Sequence, residues 1–271
     1  MIIDHNHPEY LERWKELGAG KHNGCYYYSQ EIVKNIIPRV KTNRDWNTVG
    51  REVSDMHDGM IVFLHDNFTP WHYSWLKKYN DLILVCSSRY TANSVKFWGK
   101  TILLPMSIDT EYVKKFKTDK TKDTCFVGNK WVIDNCRTDI PDGVDFFSSM
   151  PREQLLKEVA KYKRAYAIDR CAQECQVLGC ELLHMKTGYG CDSFDVLDNR
   201  DAATLLQEKL DKIDKQSKEV KRMSEYRVMH INNAYQIQEK ASKGWETIGE
   251  FDDINAAKRM VGELRNGGIN V

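Results

Sequence analysis

Three short apolar runs constrain this chain more than anything else in it: Gly59-Met-Ile-Val-Phe-Leu-His65, Asp81-Leu-Ile-Leu-Val-Cys86 and Lys100-Thr-Ile-Leu-Leu-Pro105. Each is continuously apolar, the pattern of a parallel strand covered on both faces. Helix-like segments separate them: 68–79, rich in aromatics (Trp71, Tyr73, Trp75), and 91–98, stopped by Gly99. Strands alternating with helices in this rhythm predict a parallel α/β sheet. Upstream, residues 1–4 and 45–53 read as further strands. Between them, the turn containing Gly18, Gly20, Asn23 and Gly24 leads to a helix capped by Ser29. Its Ile32, Val33, Ile36 and Ile37 fall on one stripe, and Pro38 ends it.

The rhythm returns after a lysine-rich stretch, 111–123, which reads as a solvated linker. Thr124-Cys-Phe-Val-Gly128-Asn129-Lys130 opens a second α/β region, and Gly143-Val-Asp-Phe-Phe147 is a strand. Pro151 sits in the first turn of a helix. Then comes a compact unit: an apolar strand at 165–168, a polar turn, a short helix ended by Gly179, and an apolar run at 180–185. Arg170 and Glu174, spaced i, i+4, share one face of that helix's start. The turn lies at the carboxyl end of a strand, where open α/β sheets bind ligands and a helix N-terminus favours phosphate. Residues 202–240 read as a long helix, 245–251 as a strand, and the segment after Asp252 or Asp253 as a final helix ended by Gly267-Gly268.

A length of 271 residues suits two small domains, and 41% hydrophobic with 11% aromatic residues supports globular cores. A formal net charge of +1 argues against a broad nucleic-acid footprint while leaving room for a local basic patch. No apolar run approaches ~18 residues, the length of a membrane span. The N-terminus lacks the basic-then-apolar order of a signal peptide, so a cytoplasmic protein with reduced, buried thiols is expected. Cys171-x3-Cys175-x4-Cys180 has no zinc-ribbon spacing, and no metal site is expected.

Several of these segments together resemble GT-B glycosyltransferases. Glu174-Cys-Gln-Val-Leu-Gly179-Cys-Glu-Leu-Leu is similar to the family's Glu-Ala-x-x-x-Gly-x-Pro-Val-Val segment. It departs from that pattern at Cys175 and Glu181, and Tyr166 stands where many members carry a second acid. Leu-Leu-Pro105-Met-Ser-Ile-Asp109 resembles the segment closing the family's first domain, Ser87-Ser88 its strand ending in Ser, and Met-Pro151-Arg-Glu-Gln-Leu its helix beside the nucleotide base. The resemblance implies two Rossmann-like domains facing a cleft: 1–112 on the acceptor side, 113–200 on the nucleotide-sugar side, and 201–271 as a long helix with a small βα tail. It implies that Glu174 holds ribose hydroxyls, with Gly128, Asn129, Lys130 and Arg170 as the rest of the donor site. Asn23, Gly24 and Ser87 line the acceptor side.

Transfer from a nucleotide sugar needs a hold on the nucleotide, cationic stabilisation of the leaving diphosphate and a positioned acceptor. Metal-free sites supply the second with Lys or Arg and helix N-termini, and Arg170 and Lys130 are the candidates. His65 and Asp66 close a strand of the first half. An imidazole titrates near neutrality, so His65 can act as base, with Asp66 orienting it or acting itself. No cofactor is expected beyond the nucleotide sugar as co-substrate. The chain is short for the class, which suggests the compact, phage-type members. Some of those glycosylate modified DNA bases, so DNA joins small molecules and cell-wall polymers among the acceptors. A nucleotide- or sugar-binding protein without turnover is the reading from another class. A dinucleotide enzyme such as an epimerase lacks its Gly-x-Gly-x-x-Gly turn here.

Overall fold

The computed structural model describes residues 1–16, 24–65, 70–128, 140–148, 150–185, 195–223, 226–231, 234–241, 244–251 and 253–265. They form two compact units, Met1–Glu208 and Lys209–Val271. The first contains two parallel sheets, so the α/β architecture expected from the alternating apolar runs is present.

The first sheet consists of β1 (Ile2–Ile3), β2 (Trp46–Asn47), β3 (Ile61–Leu64), β4 (Ile83–Cys86) and β5 (Lys100–Leu103), paired in that order. β3 and β4 run in register from Ile61↔Ile83 to Leu64↔Cys86, and all eight of their side chains are buried. Burial on both faces is why neither strand shows polar alternation. One face packs Val62, Leu64, Leu84 and Cys86 against Tyr73, Leu76 and Val95. Tyr73 and Leu76 come from Pro70–Lys78, a 3-10 helix where the sequence suggests a helix or loop plus helix. Val95 comes from α3 (Arg89–Val95), whose cap Ser88 accepts from Thr91 N–H at 3.1 Å. β2 is far shorter than the expected 45–53 strand. Asn47 Oδ1 accepts from the Val49 and Gly50 amides at 3.1 and 3.0 Å, which turns the chain away from the ladder. Gly50 completes the turn at φ +63, and a Cβ there would lie 2.6 Å from Phe63 O.

Two helices precede β2: α1 (Pro8–Glu16) and α2 (Gly24–Glu31). The second continues through a π-helical turn, Ile32–Ile36, into a 3-10 turn, Ile37–Arg39, that contains Pro38. The helix therefore starts at Gly24, and Ser29 lies inside it rather than capping it. Its hydroxyl is 2.7 Å from Thr48 Oγ1, beyond the end of β2.

The second sheet has β6 (Lys122–Val127), β7 (Asp145–Phe147), β8 (Tyr162–Ala167) and β9 (Glu181–Leu183), in the order β7-β6-β8-β9. Strand order reverses between β6 and β8. Cys125, Val127, Ala165 and Ala167 face Leu156 and Val159 of α5 (Arg152–Val159) and Ala172, Cys175 and Leu178 of the α6 segment (helix Asp169–Val177). The lysine-rich 111–123 segment is ordered rather than a bare linker. Asp109 caps the short helix α4 (Thr110–Lys114) by accepting from Tyr112 N–H at 2.9 Å, Val113 is buried, and Lys122 already belongs to β6.

α7 (Asn199–Met223) is shorter than the 202–240 helix expected from the sequence. Its continuation instead forms β10 (Tyr226–Ile231) and β11 (Ala234–Ala241), antiparallel from Ile231↔Ala234 to Tyr226↔Glu239. Alternating β-branched and aromatic residues, closed by a two-residue connection, favour a hairpin over a helix. β12 (Gly244–Phe251) completes this sheet, and α8 (Ile254–Arg265) contributes buried Ala257 and Val261 to the second unit, in which Ile237 of β11 is buried as well. Among the described residues, no helix is long and apolar enough to cross a membrane.

Candidate functional site

β8 hands over to α6 through Asp169, whose φ of +50 is rare for a residue with a side chain and costs of order 1 kcal/mol. That turn carries Arg170 and, one helical turn on, Glu174. Both were expected on a helix face, and both are buried, at 6% and 2% exposure. Arg170 Nη1 lies 3.3 Å from Glu174 Oε1 as an ion pair.

The pair does not stand alone. Arg152, the first residue of α5, donates from Nε to Glu174 Oε1 at 3.0 Å, and its Nη1 pairs with Oε1 of Glu31, the last residue of α2. Glu31 Oε2 accepts from Asn35 Nδ2 at 2.8 Å and from Asn199 Nδ2 at 2.6 Å. Asn199 Oδ1 in turn accepts from Ser107 Oγ at 2.7 Å. Arg152 N–H reaches the Tyr27 hydroxyl at 3.3 Å. The two guanidinium groups lie over rings, Arg152 over Tyr112 at 5.4 Å and Arg170 over Tyr27 at 5.7 Å. Two arginines thus balance two glutamates in a buried cluster, which is the condition for charges to persist out of water. Burial pushes the Arg152 guanidinium down, but Glu174 and Glu31 more than offset it, so its pKa stands above the ordinary value. Among the described residues, two buried nitrogens, Arg152 Nη2 and Arg170 Nη1, make no hydrogen bond, although Arg170 Nη1 keeps its ion pair with Glu174.

A second polar group gathers at the carboxyl ends of the first sheet. His65 follows β3, is buried, and has Nε2 3.2 Å from Thr48 O. A carbonyl only accepts, so Nε2 carries the proton and Nδ1 holds the lone pair. The Tyr28 ring packs edge-on to it at 5.7 Å, and burial raises the Tyr28 phenol far above its ordinary value. His5, beyond β1, lies 3.4 Å from Ser29 Oγ and 3.3 Å from Gln30 Nε2. Its pKa is lowered, chiefly by burial. Ser87 follows β4, where its hydroxyl donates to Leu64 O at 3.5 Å.

Of the residues singled out in the sequence, Arg170 and Glu174 are in direct contact, while His65 and Ser87 end adjacent strands of the first sheet. Gly128 follows β6, donating to Phe147 O at 3.1 Å, and Gly24 opens α2. Asn23, Asp66, Asn129 and Lys130 lie outside the described residues. The sequence reading missed Arg152, Glu31, Asn199 and His5. Arg152 directly follows Pro151 at a helix start, a position that signals a cap and nothing more. Glu31 looks like any solvated helix acid. A cleft of about 540 Å³ elsewhere on the second sheet is lined by Lys122, Asp145, Tyr162 and Arg164. Four of its charges pair with one another, Lys122 with Asp145 and Arg164 with Asp123. Among the described residues, no group of three or more His, Cys, Asp and Glu could hold a metal ion. No family model matches the chain, and neither a curated protein nor a solved structure matches it.

Proposed function

We propose that the chain is a glycosyltransferase of the GT-B type, taking its sugar from a nucleotide-sugar donor without a metal ion. In this reading, residues 1–112 form the acceptor side and residues 113–200 the donor side, while residues 201–271 carry most of α7, the β10–β12 sheet and α8. One observation carries it: a buried carboxylate, Glu174, stands with Arg170 on the helix that follows β8, beside the point where strand order reverses. Open α/β sheets bind ligands outside the carboxyl ends of their strands at such reversals. Glu174 would accept hydrogen bonds from the ribose hydroxyls, exchanging one arginine contact for them. Arg170 would stabilise the negative charge that grows on the diphosphate as the glycosidic bond breaks. His65, at the carboxyl end of β3, would take the acceptor's proton. A thermal-shift panel of nucleoside diphosphates and their sugars tests the donor site, since a ligand of the native state raises its stability. Product formed on an acceptor tests turnover, and no stabilisation by any member of the panel defeats the reading.

A second reading, a nucleotide- or sugar-binding protein without turnover, is favoured by the arginine partners of Glu174 and Glu31, which already neutralise both carboxylates. Donor binding with no product on any acceptor would select it.

A further inference from the structure

α6 ends in a Schellman motif. Gly179, at φ +87, donates to Gln176 O, and Cys180 donates to Cys175 O, each at 2.9 Å. This arrangement brings the third residue from the helix end against the second residue beyond it, a contact normally made by two apolar side chains. Here both are cysteines, both are free, and both belong to the same buried cluster. Lys120 lies over the same turn. Its ammonium donates to Leu178 O and Ala160 O, each at 2.9 Å, and lies 3.5 Å from Cys180 Sγ.

We propose that Cys175 and Cys180 are a redox-active dithiol, closed to a disulfide by a peroxide, with Cys180 as attacking thiol and Cys175 as resolving thiol. Cys180 is the more exposed of the two, 6% against 1%, so a small oxidant reaches it first. The neighbouring Cys175 thiol and the Lys120 ammonium hold its thiol below the ordinary range. The carbonyl of Tyr162, 3.2 Å away, accepts from the protonated thiol and opposes the anion, which makes Lys120 necessary. Burial pushes Cys86 and Cys125 up to about 12 and Cys171 up to about 11, leaving them unreactive at neutral pH. In the first step the Cys180 thiolate attacks the O–O bond, forming a sulfenic acid and releasing hydroxide, which takes up a proton to become water. In the second, Cys175 sulfur displaces the sulfenic oxygen, which leaves as water. Two thiols and one peroxide thus give one disulfide and two waters. The bond would tie together the end of the helix that carries Arg170 and Glu174. The inference stands whether or not that helix binds a nucleotide.

The test uses the full chain, treated with hydrogen peroxide, blocked with an alkylating agent and digested with trypsin. The peptide from Cys171 to Lys186 contains Cys171, Cys175 and Cys180. The expected result is a Cys175–Cys180 disulfide assigned from fragment ions, with Cys171 alkylated. Lys120→Met should slow its formation about tenfold, the thiolate population lost with a pKa shift of one unit. In Cys175→Ser the sulfenic acid should persist and be trapped by dimedone at Cys180. Wild-type chain with all three thiols alkylated after peroxide, a disulfide through Cys171, or a covalent Lys120–Cys180 bridge would each overturn the proposal.

Discussion

Arg152 Nε donates to Glu174 Oε1 at 3.0 Å while another nitrogen of the same guanidinium pairs with Glu31. One cation therefore joins two carboxylates from helices 143 positions apart in sequence, the end of α2 and the middle of α6 (174 − 31). Removing one partner from such a buried set strands the others, at a cost of about 3–5 kcal/mol. Arg152→Met should therefore lose about that much stability in urea unfolding. Adding Glu31→Gln and Glu174→Gln should return part of the loss, because the stranded negative charges go with it. Strict additivity of the three changes would show that the network is not coupled.

Glu174→Gln keeps the side chain's volume but removes its charge. If Glu174 binds ribose hydroxyls, nucleotide-sugar affinity should fall by about 1.5–3 kcal/mol, roughly ten- to a hundredfold. Arg170→Met should lower kcat more than affinity, because charge on the diphosphate grows only as the bond breaks. Calorimetry and steady-state kinetics separate the two. Unchanged donor affinity in folded Glu174→Gln would remove that residue from the site.

His5 gives a pH dependence with a definite sign. Burial, the largest cause, lowers its pKa below 6.5. Lys34 adds to the shift and Asp4 opposes it. Between the lowered folded value and 6.5 the unfolded chain binds the extra proton and the folded chain does not, so stability rises with pH across that window. The contribution is complete above 6.5 and is lost as pH falls through the folded value. His5→Gln should flatten this limb of the stability–pH curve, measured by urea unfolding at several pH values. An equal acid limb in the variant would assign the effect to other groups.

For a DNA acceptor, phosphate contacts must come from a local set of lysines, since the formal net charge is only +1. Several lysines of the 111–123 stretch are already engaged: Lys114 with Glu111, Lys120 with main-chain carbonyls, and Lys122 with Asp145 and Tyr162. That turns attention to Lys115, whose ammonium lies 5.8 Å over the Tyr112 ring, and Lys117, both exposed just beyond the end of α4. Reversing both should flatten the slope of DNA affinity against salt by about 2, on a logarithmic scale, while donor binding stays unchanged. Absence of salt-dependent binding to plain duplex, modified duplex and single strands would exclude DNA.

The local elements were legible because their signals are local. Continuous apolar runs marked β3, β4 and β5, and Gly179 marked the end of α6, while the helix expected at 91–98 runs from Arg89 to Val95. Where two local signals competed, the sequence misled. Residues 202–240 read as one long helix, yet the alternation from Tyr226 onward forms a hairpin. An i, i+4 Arg–Glu pair was visible at Arg170 and Glu174, but its burial was not. Only tertiary structure brings Arg152, Glu31 and Asn199 to that pair. A charge partner distant in sequence leaves no periodic trace, because its position is set by how sheets and helices pack rather than by the pitch of any one element. The Schellman turn shows the opposite case. Gly179 marked the turn from sequence alone, while the position of Lys120 beside the Cys180 thiol required the fold.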